Sequence, residues 1–295
     1  MKPEPSPSSR ASYADLEARI AAWAGDRRDL IAGVVVGSRS RPVRPADEWS
    51  DLDLIFFSTA PAGYLQDAGW LGNFGELWAS YLDATGSGYP EWFALYPGGL
   101  KMDIVFVPVP AGEAPDLPGM LASFDFQDVL TRGVRILFDK TGFQGDLPAF
   151  SGAAALPPLP ADSDFRAAID RFWINTAKAL KLIQRGDLWR AKQTCDGELK
   201  ACLLTMLEWH ARCVYNPGQD TWYDGRFLST WADPRAQAAL PATFPAYDQV
   251  DLRRALLAIL DLYTWLARET ARALGFSYPC PNDTAILTWL LETFS

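Results

Sequence analysis

Gly37-Ser38-Arg39 closes an apolar run, Ile31-Ala32-Gly33-Val34-Val35-Val36, and Asp51-Leu52-Asp53 opens another, Leu54-Ile55-Phe56-Phe57. Between them lies a polar loop rich in Arg and Pro. The pattern predicts two strands joined by a turn and a loop. A strand sends alternate side chains to opposite faces, so Asp51 and Asp53 project together while Leu52 and Leu54 face a core. A third run, Ile104-Val105-Phe106-Val107, is led by Asp103. If that strand pairs beside the second, three carboxylates meet at one spot. Such a site is laid out to hold divalent cations on a nucleotide triphosphate.

Nucleotidyl transfer is an in-line displacement at a phosphorus crowded with negative oxygens, and it requires charge neutralisation, alignment and removal of a hydroxyl proton. Two cations about 3.5–4 Å apart do the first two jobs, and hard cations want oxygen ligands. Asp51 and Asp53 would supply them from one rigid edge, with Asp103 completing the set and accepting the hydroxyl proton. The Gly37-Ser38 turn would offer close backbone approach and a hydroxyl to the triphosphate. Arg39 lies where a guanidinium could reach phosphate oxygens. Each element alone is common: a lone D-x-D is usually a solvated loop, and Gly-Ser usually an ordinary turn. Their joint order is what points to chemistry.

Composition narrows the classes further. The net charge of −9 disfavours a nucleic-acid partner, whose phosphates would be repelled, and suits a cationic small molecule. The single histidine, His210, excludes a multi-histidine zinc site; it sits in a helical pattern and reads as packing. No G-x-S-x-G elbow supports a serine triad. Cys195, Cys202, Cys213 and Cys280 lack metal-ligand spacing and read as reduced thiols. With no signal-peptide core and no apolar run of about 18 residues, the expected address is cytoplasmic and membrane-free. A monomer or weak dimer is expected.

Residues 1–12 form a Pro/Ser-rich tail expected to be disordered. A catalytic domain over 13–148 follows: an amphipathic helix from Tyr13 to Ala24, the two strands, and a helical stretch from about Trp70 to Leu82. A hairpin then joins Trp92–Leu95 to Met102–Phe106 through Pro97-Gly98-Gly99, and a last strand covers Val134–Phe138. Residues 149–162, with Leu156-Pro157-Pro158-Leu159-Pro160, read as a linker. From 163 to 295 the periodicity is helical. Phe165, Ile169, Phe172 and Trp173 share one face, Leu188–Val214 forms a long or broken helix, and Leu252–Leu274 is apolar almost all round. Asp283 is placed to cap a final helix through Phe294. The fold class is α+β: a small mixed sheet flanked by helices, then an all-helical bundle.

These landmarks resemble the polymerase-beta-like nucleotidyltransferase superfamily, and within it the aminoglycoside 6-adenylyltransferases that modify streptomycin. The likeness rests on Gly37-Ser38-Arg39, Asp51-Leu52-Asp53 and Asp103. It extends to Phe138-Asp139-Lys140-Thr141-Gly142, Phe172-Trp173, Gly186-Asp187-Leu188-Trp189-Arg190 and Met206-Leu207-Glu208-Trp209. It spans roughly residues 13 to 275. The resemblance implies magnesium-dependent transfer of AMP from ATP to an aminoglycoside hydroxyl, releasing pyrophosphate. Asp51, Asp53 and Asp103 match its metal-binding carboxylates, and Gly37, Ser38 and Arg39 its triphosphate turn. The segment between Asp53 and Asp103, and the region after Cys213, match little.

A polycationic acceptor needs carboxylates and flat surfaces, expected between the two domains. Glu91 on the hairpin, Asp170 on the first long helix and Asp196 on the second are the candidates. Asp196 and Glu198, two apart, cannot share a face well. Lys192 is the candidate second-domain cation for a triphosphate oxygen. Trp92, Trp173, Trp189 and Trp209 read chiefly as packing residues that could stack on a ring. Rival readings are the same chemistry on a lincosamide or a protein hydroxyl, and a non-catalytic nucleotide sensor. The full carboxylate set argues against the sensor.

Overall fold

The computed structural model describes residues 12–110, 116–125, 127–145, 147, 156–222, 224–279 and 281–294. The expected tail up to residue 11, the linker residues 149–155 and Cys280 lie outside the described residues. The chain divides into two compact units, Met1–Ala155 and Leu156–Ser295.

The first unit is a six-stranded mixed sheet in the order β3-β4-β5-β2-β1-β6. Its strands are β1 Leu30–Val36, β2 Leu52–Ser58, β3 Ala79–Ala84, β4 Pro90–Tyr96, β5 Leu100–Pro108 and β6 Arg135–Asp139. Among the described residues only β2 and β5 run parallel, and they pair residue for residue, Asp53 beside Asp103 and Phe56 beside Phe106. Alternation then builds two apolar faces. Leu52, Leu54 and Phe56 with Met102, Ile104 and Phe106 pack under helix α1, Tyr13–Gly25, which contributes Leu16, Ile20 and Trp23. Ile55, Phe57, Val105 and Val107 face the short helices α3, Leu117–Ala122, and α4, Gln127–Leu130; α2, Ala62–Leu65, precedes them in the chain. Gly33 lies under the Phe138 ring, which fills the space a side chain would need.

The expected helix at 70–82 is a correction. A short 3-10 helix covers Gly69–Phe74, burying Leu71 and Phe74, and Ala79–Ala84 is the edge strand β3. Leu71, Phe74, Leu77, Trp78 and Tyr81 mimic helical spacing, but only the first two are core residues. β3 is largely exposed, so it shows no buried face to betray its period, and it is held by β4 through backbone pairing and the Tyr81–Phe93 stack at 4.6 Å.

The second unit is helical. It comprises α5 Asp162–Gln184, α6 Leu188–Gln193, α7 Leu199–His210, α8 Leu228–Trp231, α9 Pro234–Ala239, α10 Gln249–Leu274 and α11 Pro281–Phe294. A π-helical turn, Thr194–Glu198, joins α6 to α7. The core gathers Phe165, Ile169, Phe172, Met206, Leu256, Ile259 and Tyr263, with Tyr263 stacked on Phe172 at 3.6 Å. α10 is central but not apolar all round: Arg254, Asp261 and Arg268, seven apart, form an exposed stripe. Asp283 is not a cap. It lies inside α11, buried, accepting a hydrogen bond from Trp173 Nε1 at 2.9 Å with Arg166 at 3.8 Å, and so docks α11 on α5. The helix opens at Pro281, so Asp283 stands within its first turn and not at the position that precedes it. Among the described residues no helix is long and apolar enough to cross a membrane.

Candidate active site

The parallel β2/β5 register brings the predicted carboxylates to one end of one sheet face. Asp51 immediately precedes β2, Asp53 is its second residue, and Asp103 sits beside Asp53 on β5. On the far side of β5, Phe93 of β4 pairs with Asp103, and Glu91 pairs with Val105. Glu91 therefore shares this face. Burial first, then the charges of Asp103 and Asp53, push its carboxyl up to about 7.

A residue missing from the sequence reading stands at the centre. Lys101 Nζ donates to Asp51 Oδ2 at 3.0 Å and to Asp103 Oδ2 at 2.7 Å. Burial opposes its charge, but the two carboxylates outweigh that and hold the lysine above its usual pKa. Burial likewise raises Asp103 despite its lysine partner. At 2.7 Å the contact has the length of a charge-assisted hydrogen bond between an ammonium and a carboxylate. The signal for Lys101 was simple strand alternation: two residues before Asp103 means the same face.

Gly37–Arg39 forms a single 3-10 turn at the end of β1. Gly37 has φ +69°, and a Cβ there would collide with the Asp53 carboxylate. Only glycine meets both demands. Ser38 is buried. Arg39 does not project freely: Nε donates to the Asp51 carbonyl at 3.0 Å and Nη2 to the Ser50 carbonyl at 2.6 Å, while its guanidinium lies 3.5 Å from the Tyr13 ring centre. The Tyr13 hydroxyl in turn accepts from the Lys101 backbone N–H at 3.1 Å. Tyr13, the first residue of α1, thus ties the turn to β5, a link no local sequence pattern announces.

As the side chains stand, no group of three carboxylate, His or Cys residues among the described residues is gathered to ligate a metal. Two features nevertheless fit a cation here. Asp51 and Asp103 already hold one, the Lys101 ammonium, and Asp103 Oδ1 is buried with no hydrogen-bond partner.

The model of the streptomycin adenylyltransferase family matches residues 11–293. The chain belongs to that family. Its relatives include the aminoglycoside 6-adenylyltransferase of Bacillus subtilis (strain 168), 21% identical over 250 residues, covering 82% of this chain and 84% of that one. Another is the aminoglycoside 6-adenylyltransferase of Campylobacter jejuni, 20% identical over 264 residues and 84% of each chain. A crystal structure of an aminoglycoside 6-adenyltransferase from Bacillus subtilis aligns with a TM-score of 0.45 and 16% identity, over 95% of this chain and 97% of that one.

The remaining residues singled out in this streptomycin adenylyltransferase family member lie in the second unit. Lys192 and Asp196 are each other's partners, Nζ to Oδ2 2.6 Å across the π-helical turn, and Lys192 also donates to the Pro245 carbonyl at 2.8 Å. Lys200 donates to the Thr243 carbonyl at 2.6 Å, so two lysines grip the 243–245 segment. Asp196 Oδ1 is buried without a hydrogen-bond partner. Glu198 turns elsewhere, to Lys178 at 2.6 Å, as the two-residue spacing requires. Asp170 is exposed on α5. Trp92 and Trp173 are buried, Trp209 packs against the core, and Trp189 is exposed. His210 is buried beside Tyr215 and Trp265, and burial lowers its pKa, as suits a packing residue.

Proposed function

We infer that this chain moves AMP from ATP to a hydroxyl of a cationic aminoglycoside such as streptomycin, releasing pyrophosphate. The observation that supports this most is the register setting Asp53 beside Asp103, with Asp51 on the same face and a cation already between two of them.

In this reading Asp51, Asp53 and Asp103 hold magnesium. When bound, the ions would neutralise the triphosphate and align attacking and leaving oxygens. The Gly37-Ser38 turn receives the triphosphate with its backbone N–H groups, and Arg39 fixes the Ser50-Asp51 backbone from which one carboxylate projects. Asp103 is placed to accept the hydroxyl proton, and Glu91, which is not one of the three ligands, shares its face. The acidic face suits a polycationic sugar. Residues 13–148 then form the catalytic domain, and 163–295 supply nucleotide and acceptor contacts, Lys192, Asp170 and Asp196 among them. The enzyme works in the cytoplasm as a monomer or weak dimer.

The test is mass spectrometry after incubation with ATP, Mg²⁺ and a panel of streptomycin, other aminoglycosides and lincosamides. An adduct of AMP mass on an aminoglycoside, absent without Mg²⁺, is expected. An adduct on a lincosamide alone would move the acceptor class, and no adduct on any drug would overturn the reading.

A further inference from the structure

We propose that Lys101 is the resident cation of the carboxylate site, and that it withdraws across Phe93 toward Glu91 when a divalent metal enters. This rests on the metal reading above but goes beyond it: the free and metal-bound sites become two states of one switch.

The geometry is that of a placeholder. One ammonium contacts single oxygens of two carboxylates, one just before β2 and one on β5, at 3.0 and 2.7 Å. An ammonium and a divalent cation cannot share that point, because like charges at contact distance in a half-buried site repel strongly. Asp103 Oδ1, on the carboxylate that holds the ammonium, is buried without a hydrogen-bond partner and is a further oxygen open to an incoming cation. Lys101 itself completes neither carboxylate's coordination.

The same face offers Lys101 a second resting place. Its Nζ lies 5.3 Å from the centre of the Phe93 ring, whose other neighbour is Tyr81, stacked at 4.6 Å. Beyond Phe93 on β4 is Glu91, close enough to feel the charges of Lys101, Asp103 and Asp53. A lysine has a flexible four-carbon stem and no fixed fork, so the exchange needs side-chain rotation only. The side chain is 38% exposed, which leaves it room to turn. Without the metal, the lysine offsets one of the two carboxylate charges and relieves their repulsion; with it, the ammonium moves toward Glu91.

Two measurements test this on the full-length chain without nucleotide. In wild type, acetylation of Lys101 by an amine-reactive ester, read by peptide mass spectrometry, should rise at least about threefold on adding Mn²⁺. In parallel, Mn²⁺ binding followed by electron paramagnetic resonance should be about tenfold or more tighter in Lys101→Gln, since a competing charge is gone. Lys101→Arg, which keeps the charge, should bind Mn²⁺ no more tightly than wild type. Mn²⁺ that binds wild type with Lys101 labelling unchanged, or no more tightly in the Gln variant, would overturn the switch alone. Absence of Mn²⁺ binding to every variant would overturn the metal reading together with it. The labelling arm uses unaltered protein, so a misfolded Gln variant would still leave the proposal open to refutation.

Discussion

Gly37 and Asp53 are packed so closely that any side chain at position 37 would occupy the space of the Asp53 carboxylate. The turn after β1 and the second acid of the D-x-D pair are thus one construction: the glycine's backbone, at φ +69°, is the wall against which the carboxylate rests. Gly37→Ala should lose about 1–2 kcal/mol from the left-handed backbone alone and displace Asp53 as well. Urea unfolding and Mn²⁺ affinity should therefore both fall. A variant of normal stability with weakened Mn²⁺ binding would show that the contact with Asp53 outweighs the backbone strain.

Tyr13 reaches the site from a distance. Tyr13→Phe keeps the ring under Arg39 and removes only the hydroxyl that accepts the Lys101 N–H. The expected loss is about 1 kcal/mol in stability, the ordinary worth of one such bond. Arg39→Lys should be the more damaging change for turnover, because a lysine cannot grip the Ser50 and Asp51 carbonyls together. Steady-state kinetics on both variants checks the order, with kcat falling further in Arg39→Lys.

The stability of the first unit should depend on pH through Glu91. Its folded pKa, about 7, lies above the ordinary 4.5, so its contribution is fully present below pH 4.5 and is lost as pH rises through 7. Glu91→Gln removes that dependence. In metal-free buffer the variant should gain on wild type as pH goes from about 5 to 8, by about 1–2 kcal/mol once solvent screening is allowed for. Parallel denaturation curves at both pH values check it; a constant difference between the two proteins would contradict it.

In the helical unit, Asp283→Ala leaves Trp173 Nε1 buried without an acceptor and Arg166 without its ion partner. The cost should be about 2–4 kcal/mol, concentrated in the docking of α11. Hydrogen exchange should show residues 281–294 opening before the rest of the bundle.

Much of this was legible in the chain. Alternation placed Asp51 and Asp53 on one face, and the apolar run after Asp103 marked the strand that pairs beside them. The helical half announced itself through Phe165, Ile169 and Phe172. What escaped was non-local or unburied. β3 is an exposed edge strand held by backbone pairing and one aromatic stack, so its residues carry no burial period. Asp283 resembled a cap because its partner, Trp173, lies far away in the sequence. Tyr13 was read only as the start of a helix. Lys101 was one strand period from a residue already chosen, and charge pairing across strands, which gives it its place, is written in two separate segments.

The central claim is that the β2 and β5 carboxylates hold the metal that drives AMP transfer. Pyrophosphate release in the presence of ATP, Mg²⁺ and streptomycin, measured for wild type, Asp51→Asn and Asp103→Asn, tests it most directly. Both variants should keep the wild-type circular dichroism spectrum and lose about a thousandfold or more in rate, as removal of a principal electrostatic group does. Rates within tenfold of an active wild type, in folded variants, would contradict the assignment.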